Sequence, residues 1–344
     1  MKLLNRSLLV LGIGCLAFLL WRVGLRQLWH ELRLLGWGLI PFIALEVTAE
    51  GIHAQAWRYC LSSSHRRLSW FQIFRIRMAG YAINYLTPTA ALGGEVTKAV
   101  LLNTHSRGPE AVSGVLLGKV FFAIGHLLFV LIGSMVIFWR VQLPAALLVA
   151  MVVSSVLISA GILAFLLLQK FGKLGALVRW LSGIKPDSHP LQTAARRITE
   201  VDEVLKAFYR EHPRDLALAV CWHLLGNAVG ILQAWTFFRM VDQPVSIATA
   251  TAAFVLGMWF DLITFAVPLN VGALEASRIV ALKSLGGTSV VGMTYGIALR
   301  LAQLFCAAFG LVSHAMLTSQ NQQRGSPESK EQKPACSMKP FWLQ

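Results

Sequence analysis

Charge is what this chain has least of. Only 14% of its 344 residues are Asp, Glu, Lys or Arg, where soluble domains carry about a quarter, and that shortage excludes a water-soluble globular fold. Acid is scarcer than base, with 16 carboxylates against 31 Lys and Arg. The five cysteines, Cys15, Cys60, Cys221, Cys306 and Cys336, form neither a CxxC pair nor a metal-ligand spacing, so neither a disulfide framework nor a metal site is implied. The sequence has no P-loop, no GxGxxG ahead of a helix, no HExxH and no nucleophile motif. No cofactor is therefore expected.

What the chain does contain is hydrocarbon. Hydrophobic residues make up 56% of it and the mean hydropathy is +0.61, which reads as an all-α, polytopic integral membrane protein. Spanning helices need about 20 mostly apolar residues, and such stretches fall near 7–24, 37–60, 112–139, 144–168, 214–238 and 290–318. The first has Lys2 and Arg6 before it but Trp21 and Arg22 after it, where a cleavage site needs small residues, so it reads as a retained anchor rather than a signal peptide. Two further apolar segments, 71–102 and 246–284, are broken by Pro and Gly.

These two broken segments echo each other at an offset of 180 residues. YLTPTAALGGEVTKAVLL (85–102) aligns with FAVPLNVGALEASRIVAL (265–282), placing Pro88, Glu95 and Lys98 opposite Pro268, Glu275 and Arg278. Upstream, Phe74, Met78 and Ile83 match Phe254, Met258 and Ile263. Corresponding Gly/Pro interruptions in two halves point to a transporter-type site near the bilayer midplane. If each segment is a re-entrant hairpin and the N terminus is cytoplasmic, loops 61–70, 103–111 and 169–213 and the tail after 318 fall inside, which collects most cations there in accord with the positive-inside rule. The first hairpin then enters from the cytoplasm and the second from the opposite face. The halves are inverted repeats on this reading, and both termini are cytoplasmic.

The net charge of +15 would suggest nucleic acid in a soluble protein, but here the cations sit mainly in loops between spans. Membrane topology and anionic lipid account for them, and no nucleic-acid partner is expected. Residues 25–36 and 196–209 have helical apolar spacing and read as interfacial helices, the second within the amphipathic cytoplasmic loop 169–213. Residues 319–344 are polar and read as a disordered tail. The expected organisation is thus one transmembrane domain, 1–318, followed by that tail.

Chemistry concentrates at the hairpins. Pro88 ends the incoming half-helix, Gly93 and Gly94 allow close backbone approach, and Glu95 is expected to begin the outgoing one, leaving free amides and a partial positive charge toward an anion such as a lipid phosphate. Lys98 adds a formal cation, and Glu95 is expected to cap the amides or to pair across the hairpins, for instance with Arg278. Pro268, Gly272, Glu275 and Arg278 repeat the pattern. The bland alternative is a salt-bridged clamp of Glu95, Lys98, Glu275 and Arg278 that only holds the hairpins together. Lys119 and Arg300 follow 24 and 25 residues beyond the two glutamates; Arg can grip a phosphate bidentately, whereas Lys acts as a point charge. A second polar face, Glu46, Glu50, His53 and Trp57 at i, i+4, i+7 and i+11, could be a proton relay, a cationic-headgroup site or the wall of a wet cavity. Asp261 is a further intramembrane acid, with Arg300 or Arg278 as partner. His126, His223 and His314 read as isolated interior hydrogen bonders.

The runs from Pro88 to Lys98 and from Pro268 to Arg278 resemble those of the lysylphosphatidylglycerol synthase transmembrane, or flippase-like, family, over most of residues 1–318. Lys98 stands where the family usually has Arg, and the second run keeps only Gly272 ahead of Glu275. Members that synthesise aminoacylated phosphatidylglycerol carry a soluble aminoacyltransferase domain after the membrane part. None follows here, so the resemblance implies the flippase-like half: movement of a phospholipid or polyprenyl-linked lipid between leaflets of a cytoplasmic (inner) membrane, with Glu95, Lys98, Glu275 and Arg278 at the headgroup. Anionic lipid is the expected partner, and homo-oligomerisation is open. Two other functions stay open: a membrane-embedded lipid-modifying transferase using Glu46, Glu50 and His53, and a non-catalytic subunit of an envelope-biogenesis complex.

Overall fold

A backbone in hydrocarbon must satisfy its own hydrogen bonds, and every described element of this chain is helical. The structure, a computed structural model, describes residues 33, 35–87, 92–104, 109–140, 145–170, 206–264 and 272–324. The first apolar stretch, nearly all of the 25–36 helix, the hairpin prolines Pro88 and Pro268, most of loop 169–213 and the tail beyond 324 lie outside those residues.

A 3-10 turn at Gly36–Gly38 leads into α1 (Leu39–Tyr59). After a short helix, Ser63–Arg66, come α2 (Trp70–Leu86) and α3 (Leu92–Asn103), the two arms of the first broken segment. Then follow α4 (Pro109–Arg140), α5 (Ala145–Lys170) and α6 (Pro213–Met240). The second broken segment supplies α7 (Ile247–Thr264) and α8 (Ala273–Ser284), and α9 (Ser289–Arg324) completes the set, running past residue 318 where the polar tail was expected to begin.

Local chemistry explains several ends. Ser69 and Gln72 make a reciprocal capping box at the start of α2, each side chain serving the other's backbone amide. α6 opens on Pro213, whose missing N–H is one that a first turn leaves unbonded anyway. α8 is entered through Gly272 at φ 77°, a left-handed conformation that favours glycine. Among the described residues, three helices are long and apolar enough to cross a membrane, at Glu110–Trp139, Pro213–Met240 and Ser289–Gln320, with shorter apolar helices at Leu148–Gly161 and Ile247–Leu262. The protein is a multi-pass, all-helical membrane protein.

Packing joins the two halves of the chain. α1 lies along α6, α2 along α9, and α7 against α4, while the arms α2 and α3, and α7 and α8, lie side by side. The apolar stretch of α9 is 67% buried, against 39% for α4 and 33% for α6, so α9 runs through the interior. Small residues permit the close contacts, as is usual where lipid gives helices no hydrophobic reason to associate: a Cβ on Gly310 of α9 would stand 2.2 Å from the Met78 carbonyl oxygen of α2. One apolar core surrounds Trp57, Ile73, Phe121 and Ala219, and a second surrounds Phe42, Phe237, Leu274 and Tyr295.

Candidate functional site

The arms of the first broken segment, α2 and α3, meet backbone to backbone. Gly94 of α3 sits against α2 so closely that a Cβ there would lie 2.0 Å from the Gly80 carbonyl oxygen. At the same point Asn84 of α2 accepts a 2.7 Å hydrogen bond from the Gly94 amide and reaches Glu95 Oε1 with its amide nitrogen at 3.4 Å. The helix starts at Leu92, so Glu95 belongs to its first turn rather than beginning it, and one of the amides expected to be free is held by Asn84.

Glu95 pairs with Lys98, one turn along its own helix, and with Lys119 of α4 at 3.6 Å. The Lys98 stem lies on Gly80, and its ammonium stands 5.4 Å from the centre of the Trp57 ring. Trp57 is in turn fixed by its indole N–H, which donates to the Gly114 carbonyl of α4 at 3.1 Å. From α2, Arg77 pairs with Glu50 of α1 at 2.8 Å and stacks over Phe122. These groups line a cavity of about 210 Å³ with walls from four helices, α1 to α4. Its lining holds three cations, Arg77, Lys98 and Lys119, and two carboxylates, Glu50 and Glu95, which leaves one positive charge in surplus.

The second hairpin pairs its charges differently. Asp261 of α7 holds Arg278 of α8 through two oxygens, at 3.0 and 2.7 Å, and Ser277 adds a bond at 2.9 Å. Glu275 likewise grips Arg300 of α9 in a two-point pair, with one bond at 2.9 Å. Arg300 also reaches the Tyr85 hydroxyl of α2 at 3.5 Å, a link between the halves. Two cations face two carboxylates here, and each carboxylate is spent on one guanidinium. The cation of each hairpin meets a glycine on its first arm, Lys98 at Gly80 and Arg278 at Gly257.

Several expected pairings are thereby corrected. Glu95 bonds to Lys98 and Lys119 rather than to Arg278, because α3 itself and the neighbouring α4 already bring complementary charges within reach. The charges of one hairpin do not clamp the other. Of the two partners offered for Asp261, Arg278 is the one taken. The second polar face does not converge on one point either: Glu46 accepts from Gln233 at 2.9 Å, Glu50 is held by Arg77, and His53 faces His223. His223 is not isolated, since its Nδ1 lies 2.9 Å from that of His53, with Phe122 edge-on to both rings. His314 is buried with neither ring nitrogen hydrogen-bonded. Gly272 meets no neighbouring atom where a Cβ would stand, so its role is conformational rather than close approach. Among the described residues no cluster of His, Cys, Asp and Glu is placed to hold a metal ion.

Sequence reasoning missed Arg77, Asn84, Tyr81 and Phe122. An arginine within the apolar run of α2 was a usable signal, since intramembrane cations are costly and demand partners; Asn84 and the aromatic residues carry no such mark.

Searches of curated proteins and of solved structures return no match. The family model for the lysylphosphatidylglycerol synthase TM region matches residues 7–310. With that span covering most of the chain and both broken motifs inside it, the chain belongs to the family of the lysylphosphatidylglycerol synthase TM region.

Proposed function

We propose that the protein binds an anionic lipid headgroup, of a phospholipid or a polyprenyl-linked lipid, in the cavity between α1, α2, α3 and α4, and carries it between leaflets. The surplus positive charge among the lining side chains supports this reading above all. A lipid phosphate supplies the missing negative charge and competes with Glu95 for Lys98 and Lys119. Glu95 acts as the gate: it holds both ammonium groups when no phosphate is present and takes them back on release. Glu275 and Arg300, with Asp261 and Arg278, neutralise one another and serve as the frame of the second half.

The two halves act as inverted repeats with re-entrant hairpins in an inner membrane, with both termini cytoplasmic. Exchanging α1 with α6, α2 with α7, α3 with α8 and α4 with α9 maps the main packing partners onto each other, as α2 on α9 and α7 on α4 illustrate. Lipid transport is favoured over a transferase because Glu46, Glu50 and His53 each face a different partner and supply no convergent acid and base.

Native mass spectrometry of the purified protein tests the reading. Enrichment of one anionic lipid class over the bulk membrane, lost in Lys98→Gln and kept in Arg278→Lys, is the expected result. Bulk lipid on all three proteins overturns it, as does unchanged transbilayer movement of that lipid by reconstituted Lys98→Gln.

A further inference from the structure

Lys119 borders two spaces. On one side is the polar cavity; on the other is a pocket of about 440 Å³ between α4 and α5, whose remaining lining is apolar and includes Val120, Ile124 and Leu127 of α4 with Ile158 and Gly161 of α5. α5 is held by contacts in its first half. Met151 is buried among Val130, Val255 and Trp259, and the Trp259 indole donates to the Ser154 hydroxyl at 2.8 Å. The pocket lies beyond Ser154, between Lys119–Leu127 of α4 and Ile158 and Gly161 of α5. From Lys119 to Leu127 it follows α4 for about 12 Å at 1.5 Å per residue.

A cation at one end of an apolar slot, with a polar cavity behind it, matches an amphiphile. We infer that the α4–α5 gap seats one hydrocarbon chain of the lipid whose phosphate lies in the cavity, entering sideways from the bilayer past Lys119. The inference rests on the headgroup reading above and adds the chain to it. The ligand is then a phosphate-bearing lipid of net negative charge held at both ends, and its soluble headgroup alone is not a substrate, because the chain supplies apolar burial that glycerol phosphate lacks.

Gly161 gives a clean test. A Cβ there meets no atom within 4 Å, so Gly161→Leu starts its side chain in open space at the lining of the gap. The full-length protein is labelled with phosphatidylglycerol carrying a photoreactive diazirine in one chain, and with phosphatidylcholine carrying the same chain. Labelled peptides are then located by mass spectrometry, and lipid enrichment is measured in parallel.

The expected result is labelling of 119–127 and 158–161 that is at least fivefold stronger with phosphatidylglycerol and falls at least fivefold in Gly161→Leu, whose melting temperature is no lower than that of the parent protein. Equal labelling by both lipids, undiminished in Gly161→Leu, overturns the inference and leaves the gap filled by bulk bilayer lipid. The parallel measurement separates the two ideas. Anionic lipid enriched through Lys98 while labelling misses the gap sinks the chain site alone; loss of the enrichment itself sinks the headgroup reading and the chain inference with it.

Discussion

At the scale of the residue, burial decides what each charge is worth. Arg278 is 6% exposed and its partner Asp261 30%, so the two ends of the pair are not equivalent. Asp261→Ala strands a guanidinium in the interior, a loss of about 3–5 kcal/mol for a buried pair broken on one side. Arg278→Met leaves only a carboxylate that water can still reach, and should cost clearly less. The double substitution should recover most of the Asp261→Ala loss, which melting curves in detergent would register. In the cavity, Glu95→Gln removes the carboxylate that Lys98 and Lys119 share. Phosphate-bearing lipid should then bind several-fold more tightly and be released more slowly, seen as greater enrichment with reduced transbilayer movement.

At the scale of the element, glycines separate places that tolerate a side chain from places that do not. Gly94→Ala would drive a methyl group into the Gly80 carbonyl and Asn84; the arms must shift, and overpacking of this kind costs roughly 1–3 kcal/mol. Gly161→Ala meets open space, and alanine is the better helix former by up to about 1 kcal/mol. Thermal unfolding should therefore move in opposite directions for the two. The helices themselves were legible in the sequence because an apolar run in a membrane has few options: the stretches near 112–139 and 214–238 became α4 and α6 with ends displaced by a few residues. Both broken segments also divide into two helical arms, although α3 starts at Leu92, ahead of Gly93 and Gly94, and not at Glu95. Ion-pair partners were less legible. Spacing puts Glu95 beside Lys98, but nothing in one helix announces which neighbour brings Arg77 to Glu50 or Asp261 to Arg278.

At the scale of the whole molecule, the proposed inverted arrangement makes a topological prediction. In a background without native cysteines, single cysteines at Ser64 and Gln320 should react with a membrane-impermeant thiol reagent from one side of the membrane and one at Gln243 from the other. Labelling of all three from one side would contradict the proposed orientation. The close seat of Gly94 on α2 has a mechanical corollary. With Cβ-free backbone against backbone and Asn84 fastening both the Gly94 amide and Glu95, the two arms have no slack between them. Under the proposed function they would travel as one rigid lever, so that a change of access would pivot at the joints between these arms and their neighbours, with Glu95 and Lys98 kept in step.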